Sequence, residues 1–309
     1  MEARTPRVVA LSGGVGGAKL VSGLADILPP SNLTVVVNTG DDFVHWGFCI
    51  SPDIDTVMYT LAGLSHPLQG WGIAGDTFTA LAMVERYGGE GWFRLGDRDL
   101  GTHIMRAQLL ASGKTLTEVT EWLCRALGVG PRVLPMSDGP RRTMFDTAEH
   151  GALSFQEYFV KHGFRPTVRR VYFNGDPPPS PAALQAIDAA DFIVICPSNP
   201  YVSVDPIITL PGMREALAKK PVIAVSPIVD GKALKGAAAK LMAELGEGEP
   251  SAAGVARHYG DLLSAFVVER GDEVDTPGLR VCSTNTVMVT QADRRSLAAD
   301  VLALAAAGF

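Results

Sequence analysis

Apolar and β-branched residues gather in short runs at 7–11, 33–37, 168–173, 192–196, 222–225, 265–268 and 279–282. Most of these runs are almost continuously apolar rather than alternating, the pattern of a strand covered on both faces. Most are followed by a loop of Gly, Pro, Ser or Asn and then by apolar residues at helical spacing, as at 19–28, 211–218, 236–245 and 292–306. Strand, loop and helix repeated in this way predict an α/β fold with a doubly wound, mostly parallel, Rossmann-like sheet. Ligands of such sheets lie beyond the carboxyl ends of the strands, so the loops that follow the strands are where chemistry is expected. Residues 70–165 break the rhythm. Helical patterns at 77–87, 99–111 and 117–127 joined by glycine-rich turns predict a helical insertion that caps the sheet. The whole of 1–309 then reads as a single α/β domain with its core in 1–69 and 166–309. The prolines of 177–181 form a stiff spacer ahead of a helix at Ala182.

Composition narrows the function. With 47% hydrophobic residues in 309, the chain can bury a large core. A net charge of -6 offers no basic footprint for nucleic acid or an anionic membrane, so an anionic ligand must be held by local features. Cys49, Cys124, Cys196 and Cys282 stand too far apart for a metal knuckle or a paired framework. The N-terminal strand runs straight into glycines without a signal-peptide core, and no apolar stretch reaches the roughly 20 residues of a membrane span. These features predict a cytoplasmic protein with reduced thiols.

The first run leads into Ser12-Gly13-Gly14-Val15-Gly16-Gly17-Ala18-Lys19 and then a helix. Glycines let the backbone approach a phosphate, and a helix N-terminus offers free N–H groups and a favourable dipole. A tight strand-to-helix turn accounts for the same residues. The Gly-Lys-Ser/Thr ending of a P-loop is absent, and the second run ends at Asn38 where a nicotinamide dinucleotide enzyme carries an acidic ribose reader. Asp41 and Asp42 follow that run, and Asp53 and Asp55 open the next helix. Carboxylates on this edge can hold Mg²⁺ against a diphosphate, and one can accept a proton from an attacking hydroxyl. Asp53, after Pro52, equally suits a helix N-cap. Asp76 and Asp97 suit caps, and His103 and Arg106 read as charges on a solvated helix face. The loops Pro197-Ser198-Asn199-Pro200 and Ser226-Pro227-Ile228-Val229-Asp230-Gly231, and Ser137-Asp138 after residues 133–135, suit recognition of a base or sugar edge, or plain turn chemistry.

Taken in order, SGGVGGAK, VVVNTGDDFVHWGFCISPDIDTVMYTLAG, RLGDRDLGTHIMR, LPMSD, FQEYF, PSNPYVSVDPIITLPGMREAL and SPIVDGKALKGAAAKLM resemble the 2-phospho-L-lactate transferase family of coenzyme F-420 biosynthesis over nearly the whole chain. The resemblance implies transfer of a phospholactyl or phosphoenolpyruvyl group from a GDP-linked donor to the terminal ribityl hydroxyl of a deazaflavin, releasing GMP. The donor's three-carbon acid stays open among lactate, enolpyruvate and glycerate. Deazaflavin contacts fall on Asp55, which is also the expected proton acceptor, and on Arg94, where many relatives carry lysine. Donor phosphates fall to Gly13, Gly14, Gly16, Gly17 and Lys19, and the guanosine to Ser198, Asn199, Ser226, Pro227 and Ile228. Mg²⁺ is expected at Asp42, with Asp41 as a second ligand, and a homodimer is implied. The partners are then small molecules, with neither nucleic acid nor membrane among them. The alternative is a nucleotide-sugar-binding regulatory factor of the same superfamily without transferase activity. That branch resembles GGGTG rather than SGGVGGAK and lacks the PDIDT and RLGDRD runs in this form.

Overall fold

The computed structural model describes residues 4–233, 236–246 and 248–308. Leu234 and Lys235, within the SPIVDGKALKG run, lie outside the described residues. Seven strands form the central sheet: β1 Val8–Ser12, β2 Leu33–Val37, β3 Arg132–Pro135, β4 Phe192–Ile195, β5 Val222–Val225, β6 Ala265–Glu269 and β7 Arg280–Thr284. Their spatial order is 3-2-1-4-5-6-7, and every neighbouring pair is parallel. The order reverses between β1 and β4. This is the switch point at which doubly wound sheets open a crevice for ligand.

Successive strand residues face opposite sides of a sheet, and β1 shows why the fold is doubly wound. Val8 and Ala10 pack with α1 (Gly14–Ile27), α2 (Pro52–Leu61) and the last helix, Gln291–Ala306, through Leu20, Leu24, Val57 and Val301. Val9 and Leu11 enter a second core on the other face, with Ala183, Ile187, Leu217, Leu241 and Val255. From Val8 to Leu11 neither face of the strand has a polar position because neither meets water, and the first polar residue is Ser12, at the strand's end.

The structure corrects two expectations. Residues 70–165 are not purely helical. They supply α3 (Thr79–Arg86), α4 (Asp97–Ala111) and α5 (Leu116–Ala126), but also β3, the edge strand paired with β2, and the hairpin Arg142–Thr147/Gly151–Ser154. β3 is only four residues long, opens with Arg132 and closes with Pro135. An edge strand tolerates both, because one side of its ladder goes unused. The run at 168–173 is a strand, Val168–Asn174, but it pairs antiparallel with Arg142–Thr147 in a separate three-stranded sheet. Phe145, Leu153 and Val168 fix that small sheet to the second core. Among the described residues, no helix is long and apolar enough to cross a membrane.

Candidate active site

A cavity of about 910 Å³ opens at the carboxyl ends of the strands. Its walls are the loops after β1, β2, β4, β5 and β7, the start of α2, and parts of 69–103 and 155–164. α1 starts at Gly14, with Gly13 as its cap and no capping side chain or first-turn acid of its own. Gly14 has φ +49°, a left-handed conformation that glycine takes without strain. A Cβ on Gly16 would lie 2.4 Å from the Pro197 carbonyl oxygen, and one on Gly17 would lie 2.4 Å from Ser12 Oγ. Gly13, Gly14 and Gly16 line the cavity, whereas Gly17 is absorbed in packing α1 against the loop after β4. Lys19 also lines it, with Nζ 2.7 Å from the Met288 carbonyl oxygen.

Asp53 is not the N-cap of α2, a position held by Ser51. Instead its carboxylate reaches across to the α1 N-terminus, where it accepts the Gly14 N–H, and Oδ2 accepts Asn38 Nδ2 at 2.9 Å. The same Nδ2 lies 3.3 Å from Asp41 Oδ1, so one amide bridges two buried carboxylates. Burial pushes Asp53 up to about 6. Burial, then repulsion from Asp53 and Asp42, holds Asp41 well above the usual carboxylate range. Asp42 lies behind the cavity wall and accepts the Ser51 hydroxyl at 2.8 Å, and burial pushes it up to about 8. Asp41 and Asp53 line the cavity and Asp42 does not.

Asp55 also lines the cavity, but both its oxygens accept from Arg106. His103 and Arg106 are buried, at 1% and 0% exposure, so the solvated-face reading of this pair is overturned. They sit three residues apart on the face of α4 turned toward Asp55, which supplies the counter-charge a buried guanidinium needs. Ligand atoms of Asp55, Asp99 and His103 lie within 4.8 Å of one another. A metal ion there would have to share Asp55 with the guanidinium already bound to it. Asp76 and Asp97 are caps, each for a different helix from the one its sequence position suggests. Asp76 accepts the N–H groups of Arg98 and Asp99 at the start of α4, and Asp97 those of Thr79 and Ala80 at the start of α3.

Arg94 stands exposed on the rim, its guanidinium 4.5 Å from the Phe78 ring centroid. Beyond it, Trp92 and Phe93 face the cavity, as do Phe155 and Phe159, which stack 4.4 Å apart. This aromatic end escapes the sequence reading, although the WF pair before Arg94 and the paired phenylalanines of FQEYF carry its signal. Ser198, Asn199, Ser226 and Pro227 also line the cavity, while Ile228 is buried outside it. The Ser198 hydroxyl donates to the Gly13 carbonyl at 2.9 Å, and Asn199 Oδ1 accepts the Tyr201 N–H. Ser226 Oγ is held within its own turn by Ile228.

A parallel doubly wound sheet that gathers a glycine-rich helix N-terminus, buried carboxylates and aromatic side chains around one cavity defines the class, an α/β protein with a ligand-sized cavity at the carboxyl ends of its strands. Comparison with known proteins gives the particular kind. The family model of 2-phospho-L-lactate transferase CofD matches residues 8–307, and the chain belongs to that family. It is 43% identical over 301 residues to a phosphoenolpyruvate transferase of Streptomyces griseus subsp. griseus, covering 93% of this chain and 94% of the relative. It is also 43% identical over 270 residues to a 2-phospho-L-lactate transferase of Methanosarcina mazei, covering 87% and 88%. Among solved structures, a UPF0052 family member from Bacillus halodurans shares the fold, with TM-score 0.64 and 18% identity over 97% of this chain and all of that one.

Proposed function

We propose that the chain transfers a phospholactyl or phosphoenolpyruvyl group from a GDP-linked donor to the terminal ribityl hydroxyl of a deazaflavin, with release of GMP. The observation that carries this reading is one cavity lined both by the α1 N-terminus with Asp41 and Asp53 and by an aromatic wall with Asp55 and Arg94. The names of the two relatives above supply the transferred group. The acceptor oxygen attacks the phosphorus that carries the three-carbon acid, a new P–O bond forms, and the bond from that phosphorus to the oxygen of GMP breaks. The hydroxyl proton passes to Asp55, whose direction Arg106 fixes. N–H groups of the α1 first turn receive negative charge from the donor phosphates. The loops at Ser198–Asn199 and Ser226–Pro227 border the guanosine.

Asp41 and Asp53 fit a magnesium ion: two buried carboxylates bridged by one amide, both resisting ionisation, form a site that a divalent cation would stabilise. Bound there, the metal would neutralise developing phosphate charge. Asp42, behind the wall and held by Ser51, would support Asp41 rather than bind the ion.

Incubation with the deazaflavin and lactyl- or enolpyruvyl-diphosphoguanosine, read by mass spectrometry, should give the extended deazaflavin and GMP in equal amounts. Release of GDP or inorganic phosphate would contradict the bond assignment. Binding of a nucleotide sugar with no turnover of either donor would favour the regulatory alternative.

A further inference from the structure

One part of the cavity wall is made by Asp55, Tyr59, Asp99 and His103, with Arg106 behind them. Besides its two bonds to Asp55, Arg106 places Nη1 3.1 Å from His103 Nδ1. A guanidinium carries only donors, so Nδ1 must accept and the imidazole proton must sit on Nε2. Nε2 is 3.4 Å from Asp99 Oδ1, longer than a close N–H···O bond, and it has no hydrogen-bond partner among the described residues. Asp99 Oδ1 is in turn 2.7 Å from the Tyr59 hydroxyl. A buried N–H left short of an acceptor is unfavourable until a ligand supplies one.

We propose that Arg106 is a positioning residue that fixes His103 as its Nε2–H tautomer, so that Asp55, His103 and Asp99 offer acceptor, donor and acceptor in turn to the polyhydroxylated chain of the acceptor substrate. The inference rests on the deazaflavin reading above. Each hydroxyl of a polyol both donates and accepts, so a row of alternating partners pairs successive hydroxyls. A phosphate would be repelled by the two flanking carboxylates, and a flat ring has no such array to offer. His103 Nδ1 lies 3.9 Å from Asp55 Oδ2, which puts the imidazole directly between the two acids.

The test compares binding of two probes by titration calorimetry: the deazaflavin with its ribityl chain, and the same ring carrying an N-methyl group. Wild type should prefer the ribityl form by about tenfold or more, the scale of one or two well-placed hydrogen bonds. His103→Gln, whose amide nitrogen reaches the place of Nε2, should keep that preference. His103→Asn, which reaches only the place of Nδ1, should lose most of it at unchanged affinity for the methyl form. Preference retained in His103→Asn, or lost equally in both variants, would overturn the tautomer assignment. Should His103→Asn fail to fold, Asp99→Asn replaces one acceptor oxygen by a donor, and an unchanged preference in it would overturn the row. Wild type that binds both probes equally overturns the inference alone, whereas wild type that binds neither overturns the reading on which it rests.

Discussion

At the scale of single residues, the buried acids beside the glycine loop make stability depend on pH in a direction opposite to that of ordinary salt-bridged carboxylates. Folding raises Asp53 from 3.8 to about 6 and Asp42 from 3.8 to about 8, so the folded chain binds these protons more tightly than the unfolded chain. Their contribution favours folding at low pH and is lost as pH rises through the shifted values. Between pH 6 and 8, above the range of unperturbed acids, the melting temperature of the ligand-free protein should fall. Magnesium competes with those protons and should raise the melting temperature more at pH 8 than at pH 6. Asp53→Asn should remove most of that difference, and an equal magnesium effect at both pH values would sink the ligand assignment. Asp55 behaves differently, because Arg106 depends on it. Asp55→Asn should lower unfolding free energy in urea by about 3–5 kcal/mol, the usual penalty for stranding a buried charge. Below that transition it should also cut turnover by about 10²-fold or more. Unchanged stability would show that Arg106 finds another counter-charge.

At the scale of elements, two glycines separate packing from propensity. Gly16 meets the backbone carbonyl of Pro197, which cannot rotate aside, so Gly16→Ala should destabilise the chain by about 1–3 kcal/mol through overpacking. Gly101 lies exposed inside α4 with nothing near its missing Cβ, and Gly101→Ala should stabilise by about 0.5–1 kcal/mol. Denaturant curves for the two variants should move in opposite directions. The five inner strands of the main sheet are legible because both faces are largely buried and their apolar runs are nearly uninterrupted, whereas the edge strand β7 is mostly exposed. β3 escapes the pattern because an edge strand of four residues, with a charged start and a proline end, carries too little of it. The 168–173 run misleads for another reason: Val168 and Val171 pack on the second core while Arg169 and Arg170 stay exposed, so its apolar positions are met without the main sheet. Within the site, Asp41, Asp53, Asp55 and the glycine loop can be found because they follow strands. His103 and Arg106 cannot, since their charge suggests a solvated helix face until α4 is docked beside Asp55.

At the scale of the whole molecule, the cavity is lined by buried acids as well as by aromatic side chains, and on the proposed reading a change at the aromatic rim should affect one substrate more than the other. Arg94→Ala should weaken binding of the deazaflavin at least severalfold more than binding of GDP, because its guanidinium stands at the aromatic rim. Equal weakening of both in calorimetry would withdraw Arg94 from the acceptor site.

The close seating of α1 on the last helix also bears on how the chain is made. A Cβ on Gly23 would lie 2.1 Å from the Arg294 carbonyl oxygen, and Lys19 reaches Met288, so the helix whose N-terminus lines the cavity is held by residues about 270 positions downstream. Contacts of such long sequence separation close late. On a translating ribosome the glycine loop emerges long before its supporting partner, which cannot dock until Gln291–Ala306 leaves the exit tunnel. A nascent chain stalled before that helix should therefore expose the apolar face of α1, rely on chaperones to keep it soluble, and acquire nucleotide affinity only once the final helix docks.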